Sequence, residues 1–534
     1  MKKKLFWLLP PLVLLAFFLI FFAGRPVPEH IFLITLDTTR ADAIEYGASE
    51  NSPTPNLAAL ANAGVRFENA YTVIPITTPS HAAMFYSLPP HVLKVFNNGQ
   101  KRSVPYPTLA EIMKKKGYAT GAVISLAVLN RDFGLSRGFD HYLENFKPGL
   151  WYKTAAEVNR DAFALVDKLK NGRSFIWLHY SDPHEPYFPP GEDARFTVSQ
   201  GADVLYSGPS IEQPVLRLPL LLQAGENIIA LETEQPASLG ADGAFAGIGY
   251  SDLQVKALDP GADIVMVPSP DLSRRSERYG LVTFNTHATR STLTVTNRGN
   301  APCRAELAFK YQVKTSPEAR RSGYEREVRY LDAQIGLLLD HLKKEGLYER
   351  STFLVMGDHG EGLGEYRSHF GHIHYLNKVY THVPFIVSGR NIRGGGVRAD
   401  LVSNFSVAPT LLSLVGVRKP RHMTGNDALA ADGNTRLFLE TYSPESYFDA
   451  FSVVHFPWQV IFYPGRTERS LEFYNLENDR FGTVNLQAGG DPSGQRSEMT
   501  NSVLRVSRII TANKRKQDSL NQKTMDTLKS LGYL

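Results

Sequence analysis

The sequence predicts an α/β fold: a mixed, mostly parallel sheet sandwiched by helices, with an inserted all-β module and a small C-terminal α+β part. Short apolar runs alternate with helical patterns in residues 25–191, as in βαβ units. Residues 192–313 are instead rich in Gly, Ser and Thr, and their short alternating runs between turn signals are typical of a β-sandwich. The α/β pattern resumes in residues 314–435. The module therefore interrupts one α/β domain, and residues 436–534 form the C-terminal part.

The elements of the first α/β part follow from hydrophobic periodicity and from turn residues. A helix is expected directly after the punctuation by Pro53 and Pro55. The expected helices are Asn56–Ala63, Leu109–Lys116 and a segment near Ala156–Lys170, and the expected strands are Phe32–Leu36, Ala119–Ile124 and Phe175–Leu178.

The insertion and the second α/β part show the same two periodicities. Glu325–Lys344 is expected to be a helix because its apolar residues recur at helical spacing. Residues 436–485 look like short strands, and a last helix is expected near Asp518–Leu531. The remaining expected strands are Leu216–Leu222, Asn227–Glu232, Ser291–Val295, Thr352–Gly357 and Pro384–Ser388.

A membrane anchor is expected at residues 1–24. Lys2–Lys4 precede the uncharged apolar run Leu5–Ala23, whose 19 residues are close to the ~20 needed to span a bilayer. The lysines favour the cytoplasmic side, so the rest of the chain is expected outside the cytoplasm, in a periplasm or at the cell surface. A cleaved signal peptide is the alternative, although Phe21 stands where a small residue is usual before the cut.

Composition excludes some classes of function. The formal net charge is +5 over 534 residues, and Lys2–Lys4 account for three of the positive charges. The chain shows no basic stripe with interleaved aromatic residues, so no nucleic-acid partner is expected. The one cysteine, Cys303, provides neither an internal disulfide nor a zinc cluster.

Acidic residues follow two of the expected strands. Ile31–Leu36 runs into Asp37, and Thr352–Gly357 runs into Asp358 and His359. Ligands of open α/β sheets bind beyond the carboxyl ends of the strands, where a carboxylate can hold a metal ion. Either aspartate alone would more often cap a helix or a turn. Their joint occurrence with His359 favours a metal site.

A hydroxyl-rich loop lies between these acids in the sequence. The run Pro75–Met84 places Thr77 and Thr78 ahead of Pro79 and a helical pattern. A helix N-terminus favours anions, and a hydroxyl held there beside a cation can lose its proton and attack an anionic ester. A plain turn with Ser80 as a helix cap is the alternative interpretation.

Several passages outside the insertion form a specific pattern when they are taken together. They are Ile34–Asp42 with Thr54–Leu57 and Gly64–Phe67, Thr77–His81, His179–Tyr187, Gly357–Glu365 with Phe370–His372 and Val383–Pro384, and the shorter matches Ala408–Leu412 and Leu528–Leu534. Through these passages the chain resembles the sulfatase family of the alkaline-phosphatase superfamily over nearly its whole length outside the insertion. Thr77–His81 matches the nucleophile loop of that family.

The resemblance implies roles for individual residues. Asp37, Asp358 and His359 match metal ligands of the family. Thr77 stands at the nucleophile position, where it is also implied to touch the metal. A histidine near the leaving oxygen can act as general acid. The residues implied to surround the anionic oxygens or the leaving group of the ester are Arg40, His81, His184 and His372.

Departures from the family pattern bear on the chemistry. Typical sulfatases mature a Cys or Ser into formylglycine, whereas Thr77 carries a β-methyl group, so no formylglycine is expected. Thr38 stands where many sulfatases have a second ligand Asp, and His359 stands where they have Asn. Fewer carboxylates and one imidazole favour manganese or zinc for the one divalent ion, with calcium as the alternative.

The implied function is metal-dependent hydrolysis of sulfuric or phosphoric esters at the cell envelope, on a glycan or a lipid. Superfamily members with a threonine nucleophile act on phospho-esters, which favours a phospho-ester here. Two alternatives stay open: a transferase of phospho-head groups onto envelope lipids or glycans, and a degenerate protein whose β module binds a glycan or a partner. A two-metal site that includes Asp182, His184 and His372 is a variant of the first function.

Overall fold

The structure is a computed structural model that describes most of residues 27–514. The internal gaps in this description are residues 48–51, 102–103, 148–150, 186, 188, 191–194, 210–215, 234–244, 271, 279–280, 287–288, 393–395, 431–433, 443–448, 468–469 and 487–493. The expected anchor at 1–24 and the expected helix near Asp518–Leu531 lie outside the described residues. Among the helices that are described, none is long and apolar enough to cross a bilayer.

The described chain alternates helices and strands at both ends and consists of strands in the middle. The helices are α1 (Pro55–Ala63), α2 (Thr77–Tyr86), α3 (Pro90–Leu93), α4 (Leu109–Lys115), α5 (Ala155–Leu169), α6 (Pro317–Lys344), α7 (Lys378–Thr381), α8 (Val407–Leu414) and α9 (Gln495–Lys514). The strands are β1 (His30–Leu36), β2 (Val65–Tyr71), β3 (Ala119–Val123), β4 (His141–Leu143), β5 (Ser174–Tyr180), β6 (Arg195–Gln200), β7 (Asp203–Pro209), β8 (Leu216–Leu222), β9 (Gly225–Thr233), β10 (Phe245–Ala257), β11 (Ile264–Pro268), β12 (Ser273–Arg278), β13 (Leu281–Thr286), β14 (Arg290–Asn297), β15 (Cys303–Thr315), β16 (Ser351–Gly357), β17 (Gly362–Leu363), β18 (Phe370–Gly371), β19 (Phe385–Gly389), β20 (Gly396–Ser403), β21 (Leu437–Thr441), β22 (Ala450–His455), β23 (Trp458–Phe462) and β24 (Leu471–Asn475).

An eight-stranded sheet forms the centre of the α/β domain. Its strands lie in the order β20-β2-β19-β16-β1-β5-β3-β4. β19 runs antiparallel to its neighbours β16 and β2, and the other pairings are parallel. Strands β1, β5 and β16 are buried along their whole length, as expected for parallel strands covered on both faces. The predicted mixed, mostly parallel sheet is therefore confirmed.

Helices cover both faces of this sheet because side chains of a strand alternate in direction. On β1, Ile31 and Leu33 pack in a core with apolar residues of α2, α4 and α8. Phe32, Ile34 and Leu36 pack in a second core with α1, α5 and α6. Helices from two separate apolar cores therefore cover the two faces of the central sheet.

The middle of the chain is all-β, which confirms the predicted insertion. Two five-stranded sheets, β12-β13-β10-β15-β8 and β11-β14-β9-β6-β7, share one apolar core. Leu220 and Leu307 come from the first sheet, and Phe196 and Ile229 come from the second. The border expected at residue 313 falls inside β15, which continues to Thr315 and leads through Ser316 into α6.

The C-terminal part consists of the antiparallel sheet β21–β24 and helix α9. Met499 and Val503 of α9 pack in one core with Phe451, Val453 and Val460 of the sheet. The sequence did not predict α9, because its few apolar residues are separated by polar ones. Helix α6 also begins before its predicted start, since Pro317 occupies its first turn and the Ser316 hydroxyl accepts a hydrogen bond there.

Candidate active site

The site lies where two neighbouring parallel strands of the central sheet end. Leu36 of β1 lies opposite Gly357 of β16, so Asp37 and Asp358 follow the two strands side by side. The amide of Asp358 donates to Leu36 O at 3.2 Å, and the amide of Asp37 donates to Tyr180 O at 2.8 Å. Both carboxylates are fully buried. Strand pairing therefore brings together two acids that are far apart in the sequence.

His359 completes a candidate metal site with these acids. Its Nδ1 lies 3.0 Å from Gly360 O and donates its proton there, which leaves the Nε2 lone pair for a ligand. Nε2 lies 3.8 Å from Asp37 Oδ1 and 3.5 Å from Asp358 Oδ2. Ligand atoms of the three residues lie within 4.8 Å of one another. Two carboxylates and one imidazole at this spacing can hold a divalent cation.

The unpaired oxygen atoms of the two acids fit such a cation. Both oxygens of Asp37 and Oδ2 of Asp358 are buried without a hydrogen-bond partner. Buried charges are normally paired or bound to a metal, because leaving water unpaired is costly. Asp37 and Asp358 form one small cluster of possible ligands with His359, whose Nε2 accepts from the Thr77 hydroxyl. The donor set therefore matches the predicted metal ligands in position and in chemistry.

The electrostatics of the two acids also favour added positive charge. Burial, together with the charge of Asp37, raises the pKa of Asp358 well above its usual range. Burial acts in the same direction on Asp37, but the nearby His179 and His359 outweigh it and lower its pKa. A divalent cation between the two carboxylates would favour the charged form of both. Burial lowers the pKa of His359 to about 3, which keeps its imidazole neutral.

Thr77 lies beside this cluster because helix α2 begins there. Its Oγ1 lies 3.3 Å from His359 Nε2, and its side chain is fully buried. The next amide of the helix, that of Thr78, already donates to Asn98 Oδ1 at 2.9 Å. The structure therefore brings the predicted nucleophile and the predicted metal ligands together.

Ser80 joins this helix to the end of β16. Its hydroxyl donates to Asp358 O at 2.8 Å and accepts from Asn404 Nδ2 at 3.1 Å. Ser80 is not the helix cap, because Ile76 occupies that position without a side-chain bond. The serine instead sets the spacing between the first turn of α2 and the acid at the strand end.

His81 has a protein partner at each ring nitrogen. Its Nδ1 lies 2.8 Å from Thr77 O and must carry the proton, while Nε2 lies 3.1 Å from Thr35 Oγ1. That hydroxyl already accepts from the indole N–H of Trp177 at 2.9 Å, so its own hydrogen can reach His81 Nε2. Burial lowers the pKa of His81 to about 3. This geometry makes His81 a support of the first helical turn, in contrast to the predicted contact with the ester.

Two further predicted histidines lie next to His359. The ring centroid of His372 lies 4.3 Å from that of His359, and the ring of His184 lies 5.3 Å from that of His372. His184 Nδ1 donates to Glu185 O at 2.7 Å, whereas its Nε2 is buried without a hydrogen-bond partner. A row of three imidazoles therefore leads away from the carboxylates, and it includes a nitrogen that is available to a ligand.

Glu361 is a buried residue of the site that the sequence analysis missed. It accepts a hydrogen bond from Tyr187 Oη at 3.0 Å and lies 2.9 Å from His372 Nδ1. Burial raises its pKa to about 8. The carboxyl therefore orients His372. The available signal was a single acid between Gly360 and Gly362, directly after the expected metal ligands.

His179 is the second missed residue. Its Nε2 lies 3.3 Å from Asp37 Oδ2, and its Nδ1 lies 2.7 Å from Ser125 Oγ. With His81 and Asp358 it forms another group of possible ligands, but His81 Nδ1 carries a proton in the arrangement described above. The available signal was a histidine inside the apolar run of β5, where a buried polar group needs a partner.

Arg40 is occupied by acidic partners. Its guanidinium makes two 2.8 Å hydrogen bonds to the carboxylate of Asp42 and one of 2.5 Å to Glu365. These carboxylates neutralise its charge, and only 4% of the side chain is exposed. This arrangement differs from the predicted contact with the anionic oxygens of an ester.

Asp182 is engaged with a helix rather than with a second metal site. Its Oδ1 accepts from the amide of Ala155 at the start of α5, at 2.9 Å. Burial raises its pKa to about 7. Among the described residues, the groups that could hold an ion contain neither Asp182 nor His184 nor His372. The two-metal variant therefore has no support in this geometry.

Comparison with known proteins identifies a family to which this chain is similar. A family model described as sulfatase matches residues 29–417. Arylsulfatase K of Bos taurus is 21% identical over 441 residues, which cover 81% of this chain and 69% of that protein.

Two solved structures share the fold at low sequence identity. A protein in complex with its substrate D-glucosamine-2-N,6-O-disulfate aligns with a TM-score of 0.59 and 16% identity, covering 92% of this chain and 100% of the other. The phosphonate monoester hydrolase of Silicibacter pomeroyi aligns with a TM-score of 0.56 and 16% identity, covering 92% and 96%. At this level of identity these likenesses show the fold.

Replacing Ser80 is expected to misplace Thr77. Ser80→Ala removes the bond to Asp358 O and leaves a buried carbonyl unpaired, which costs about 1–3 kcal/mol of unfolding free energy. Because the first turn of α2 then loses its link to β16, ester turnover should fall by about 10²-fold. Steady-state kinetics and chemical denaturation measure the two effects.

Ser87→Ala is the matched control at the other end of the same helix. The hydroxyl of Ser87 also donates to a backbone carbonyl, Phe405 O at 2.8 Å, and accepts from the amide of Gly425 at 2.9 Å. We expect a similar loss of stability with little loss of turnover. Equal turnover of the Ser80 and Ser87 variants would contradict a specific link between Ser80 and the site.

Proposed function

The chain belongs to the sulfatase family of ester hydrolases, and we propose that it is a metal-dependent hydrolase of anionic sulfuric or phosphoric esters with Thr77 as its nucleophile. One observation carries the proposal: the Thr77 hydroxyl lies 3.3 Å from His359 Nε2, in a cluster whose buried carboxylate oxygens have no hydrogen-bond partner. A cation bound by these oxygens would favour loss of the proton from the Thr77 hydroxyl. The same cation would attract an anionic ester.

Asp37, Asp358 and His359 are the residues that would hold one divalent cation. When bound, the ion supplies positive charge that neutralises the carboxylates, favours loss of the Thr77 proton and offsets the charge of the ester. Two carboxylates and an imidazole favour manganese or zinc over calcium, which prefers more oxygen ligands. Thr38, which stands where many sulfatases have an acid, removes one such ligand.

The side chains support a two-step hydrolysis. In the first step, Thr77 Oγ1 loses its proton and bonds to the sulfur or phosphorus atom, and the bond from that atom to the leaving oxygen breaks. The leaving oxygen takes up one proton, which balances the proton lost by Thr77, and His184 and His372 beside the cluster are the candidates to relay it. In the second step, water attacks the same sulfur or phosphorus atom, gives one proton to the departing Thr77 oxygen and so releases the Thr77 hydroxyl.

A phospho-ester is the favoured substrate class. The β-methyl group of Thr77 excludes conversion to formylglycine, so attack by its oxygen produces an ordinary threonine ester that water must cleave at the central atom. The fold shared with a phosphonate monoester hydrolase is consistent with this choice. A sulfated glycan is the second candidate, and the fold shared with a protein bound to a glucosamine disulfate favours it.

Substitution of Thr77 tests the nucleophile. Thr77→Ala and the isosteric Thr77→Val should lower turnover by about three orders of magnitude or more, because both remove the attacking oxygen. The matched control is Thr78→Val, which removes the neighbouring buried hydroxyl and its 2.8 Å bond to Val128 O. Turnover of the Thr77 variants at the level of the control variant, with the metal content unchanged, would refute the assignment.

Removal of the metal tests the cofactor. Chelation should abolish hydrolysis, and manganese or zinc should restore it better than calcium, because calcium prefers more oxygen ligands than the cluster of Asp37, Asp358 and His359 provides. Full activity in excess chelator would rule out metal dependence.

A substrate panel tests the substrate class. We expect the highest kcat/KM on phosphate diesters or phosphonate monoesters in a panel that includes aryl sulfates and phosphate monoesters. Aryl sulfates as the best substrates would favour the sulfate candidate.

We also propose that the protein acts at the cell envelope, on the basis of Lys2–Lys4 and the apolar run Leu5–Ala23. Removal of residues 1–24 should move the protein from the membrane fraction to the soluble fraction without a change in kcat. Immunoblots of fractionated cells and mass spectrometry of the mature N-terminus measure this. Full-length protein with an intact N-terminus in the cytosol would contradict the proposed location.

A further inference from the structure

Thr38, which follows Asp37 directly, has a backbone conformation that is rare for its residue type. Its φ is +52°, in the left-handed region. A β-branched residue is a clear outlier there, because its branched side chain crowds the backbone. The residue is also fully buried. Surrounding contacts must therefore hold Thr38 in this conformation, and such local strain is most common at functional sites.

The unusual conformation directs one hydrogen-bond donor at a proposed metal ligand. The amide of Thr38 donates to Asp358 Oδ1 at 3.3 Å, and the amide of His359 donates to the same oxygen at 2.7 Å. The other oxygen, Oδ2, has no hydrogen-bond partner and lies 3.5 Å from His359 Nε2. Two amides therefore occupy one oxygen of Asp358 and leave the other facing the ligand cluster.

Tyr324 is the side chain that closes over this turn. Its hydroxyl donates to Thr38 O at 2.9 Å and accepts from the amide of Arg40 at 3.0 Å. One buried oxygen thus bridges the carbonyl of the strained residue and the amide two residues later. The hydroxyl of Thr38 contributes a local bond to Asp37 O at 2.8 Å, but that bond stays within the turn. Tyr324 is therefore the side chain that bonds both the carbonyl of Thr38 and the amide of Arg40 from outside the turn.

Close packing of helix α6 sets the position of this tyrosine. A Cβ atom on the preceding residue, Gly323, would lie 2.4 Å from Tyr187 O, so only glycine permits this approach of the helix. The rings of Tyr187 and Tyr324 meet edge to face at 5.9 Å. A phenol held in this way can restrain a backbone turn without moving itself.

We propose that Tyr324 is a positioning residue for the metal ligand Asp358. It holds Thr38 in the left-handed conformation, so that the Thr38 amide keeps Oδ1 occupied and Oδ2 faces the cation. This inference rests on the proposed metal-dependent function. It assigns a role to helix α6, which directly follows the inserted β module and supplies none of the proposed metal ligands.

The test is the affinity of the purified protein for Mn²⁺, measured by titration calorimetry. Tyr324→Phe keeps the ring and removes the hydroxyl that bridges Thr38 and Arg40. We expect Mn²⁺ binding to weaken by about 10- to 100-fold, as for other residues that orient metal ligands. An unchanged dissociation constant in the Tyr324→Phe protein would overturn the inference.

Tyr118→Phe is the matched control. The buried hydroxyl of Tyr118 also donates to a backbone carbonyl, Pro28 O at 2.7 Å, but at the opposite end of β1. We expect this variant to lose stability while it binds Mn²⁺ like the wild type. Equal weakening of Mn²⁺ binding in both variants would mean that general loss of stability explains the effect, and would overturn the positioning role.

A double-mutant cycle with Thr38→Gly tests the route through the strained turn. Glycine adopts positive φ without the penalty of a side chain. If Tyr324 acts by holding Thr38, the loss of affinity on Tyr324→Phe should be several-fold smaller in the Thr38→Gly background. An equal loss in both backgrounds would show that Tyr324 acts by another route.

The experiment separates this inference from the proposed function. A wild-type protein that binds neither Mn²⁺ nor Zn²⁺ would refute the proposed metal site, and this inference with it. A wild-type protein that binds Mn²⁺ as tightly as the Tyr324→Phe protein would leave the metal site intact and refute the positioning role alone.

Discussion

The juxtaposition of two buried carboxylates is the constraint on which the rest of the site depends. Asp37 and Asp358 end neighbouring parallel strands and have no access to water. Like charges in such surroundings repel strongly, so the arrangement is stable only where positive charge or protons compensate it. The neighbouring groups determine which carboxylate oxygens of Asp37 and Asp358 lack a hydrogen-bond partner and which side chains lie beside those oxygens. The fold adds the imidazole nitrogen Nε2 of His359 and the hydroxyl of Thr77, 3.3 Å from it, beside the unpaired oxygens.

The positions of these groups are set by side chains from both faces of the sheet. Ser80 bonds helix α2 to the end of β16 from one face, and Tyr324 bonds helix α6 to the turn after β1 from the other. Each bond joins a rigid helix to a strand end, so the site rests on regular elements rather than on loops. The β module is inserted between β5 and α6 and returns directly into α6.

Family membership accounts for the general architecture of the site, and individual residues account for its proposed chemistry. The family match covers residues 29–417 and accounts for the sheet and the strand-end acids. At the nucleophile and metal-ligand positions, the site departs from the family pattern at Thr77, Thr38 and His359. In the proposed function, these residues would replace an aldehyde-forming residue and reduce the number of oxygen ligands, which would change both the nucleophile and the preferred ion. His372, oriented by Glu361, adds an imidazole whose hydrogen-bonding state is set by a buried acid.

The sequence by itself determined the fold class, most helices and strands of the α/β domain, and the cluster of Asp37, Asp358, His359 and Thr77. Hydrophobic periodicity and residues at strand ends are local properties, and parallel strands deliver their ends to the same edge. Only the tertiary structure decided what each neighbouring polar group does. His81 and Arg40 match family positions, yet one supports a helical turn and the other is neutralised by Asp42 and Glu365. The physical reason is that the hydrogen-bonding and ionisation states of a buried side chain depend on the partners that the fold places around it, such as Thr35 beside His81 and Glu365 beside Arg40, and hydrophobic periodicity does not encode these contacts.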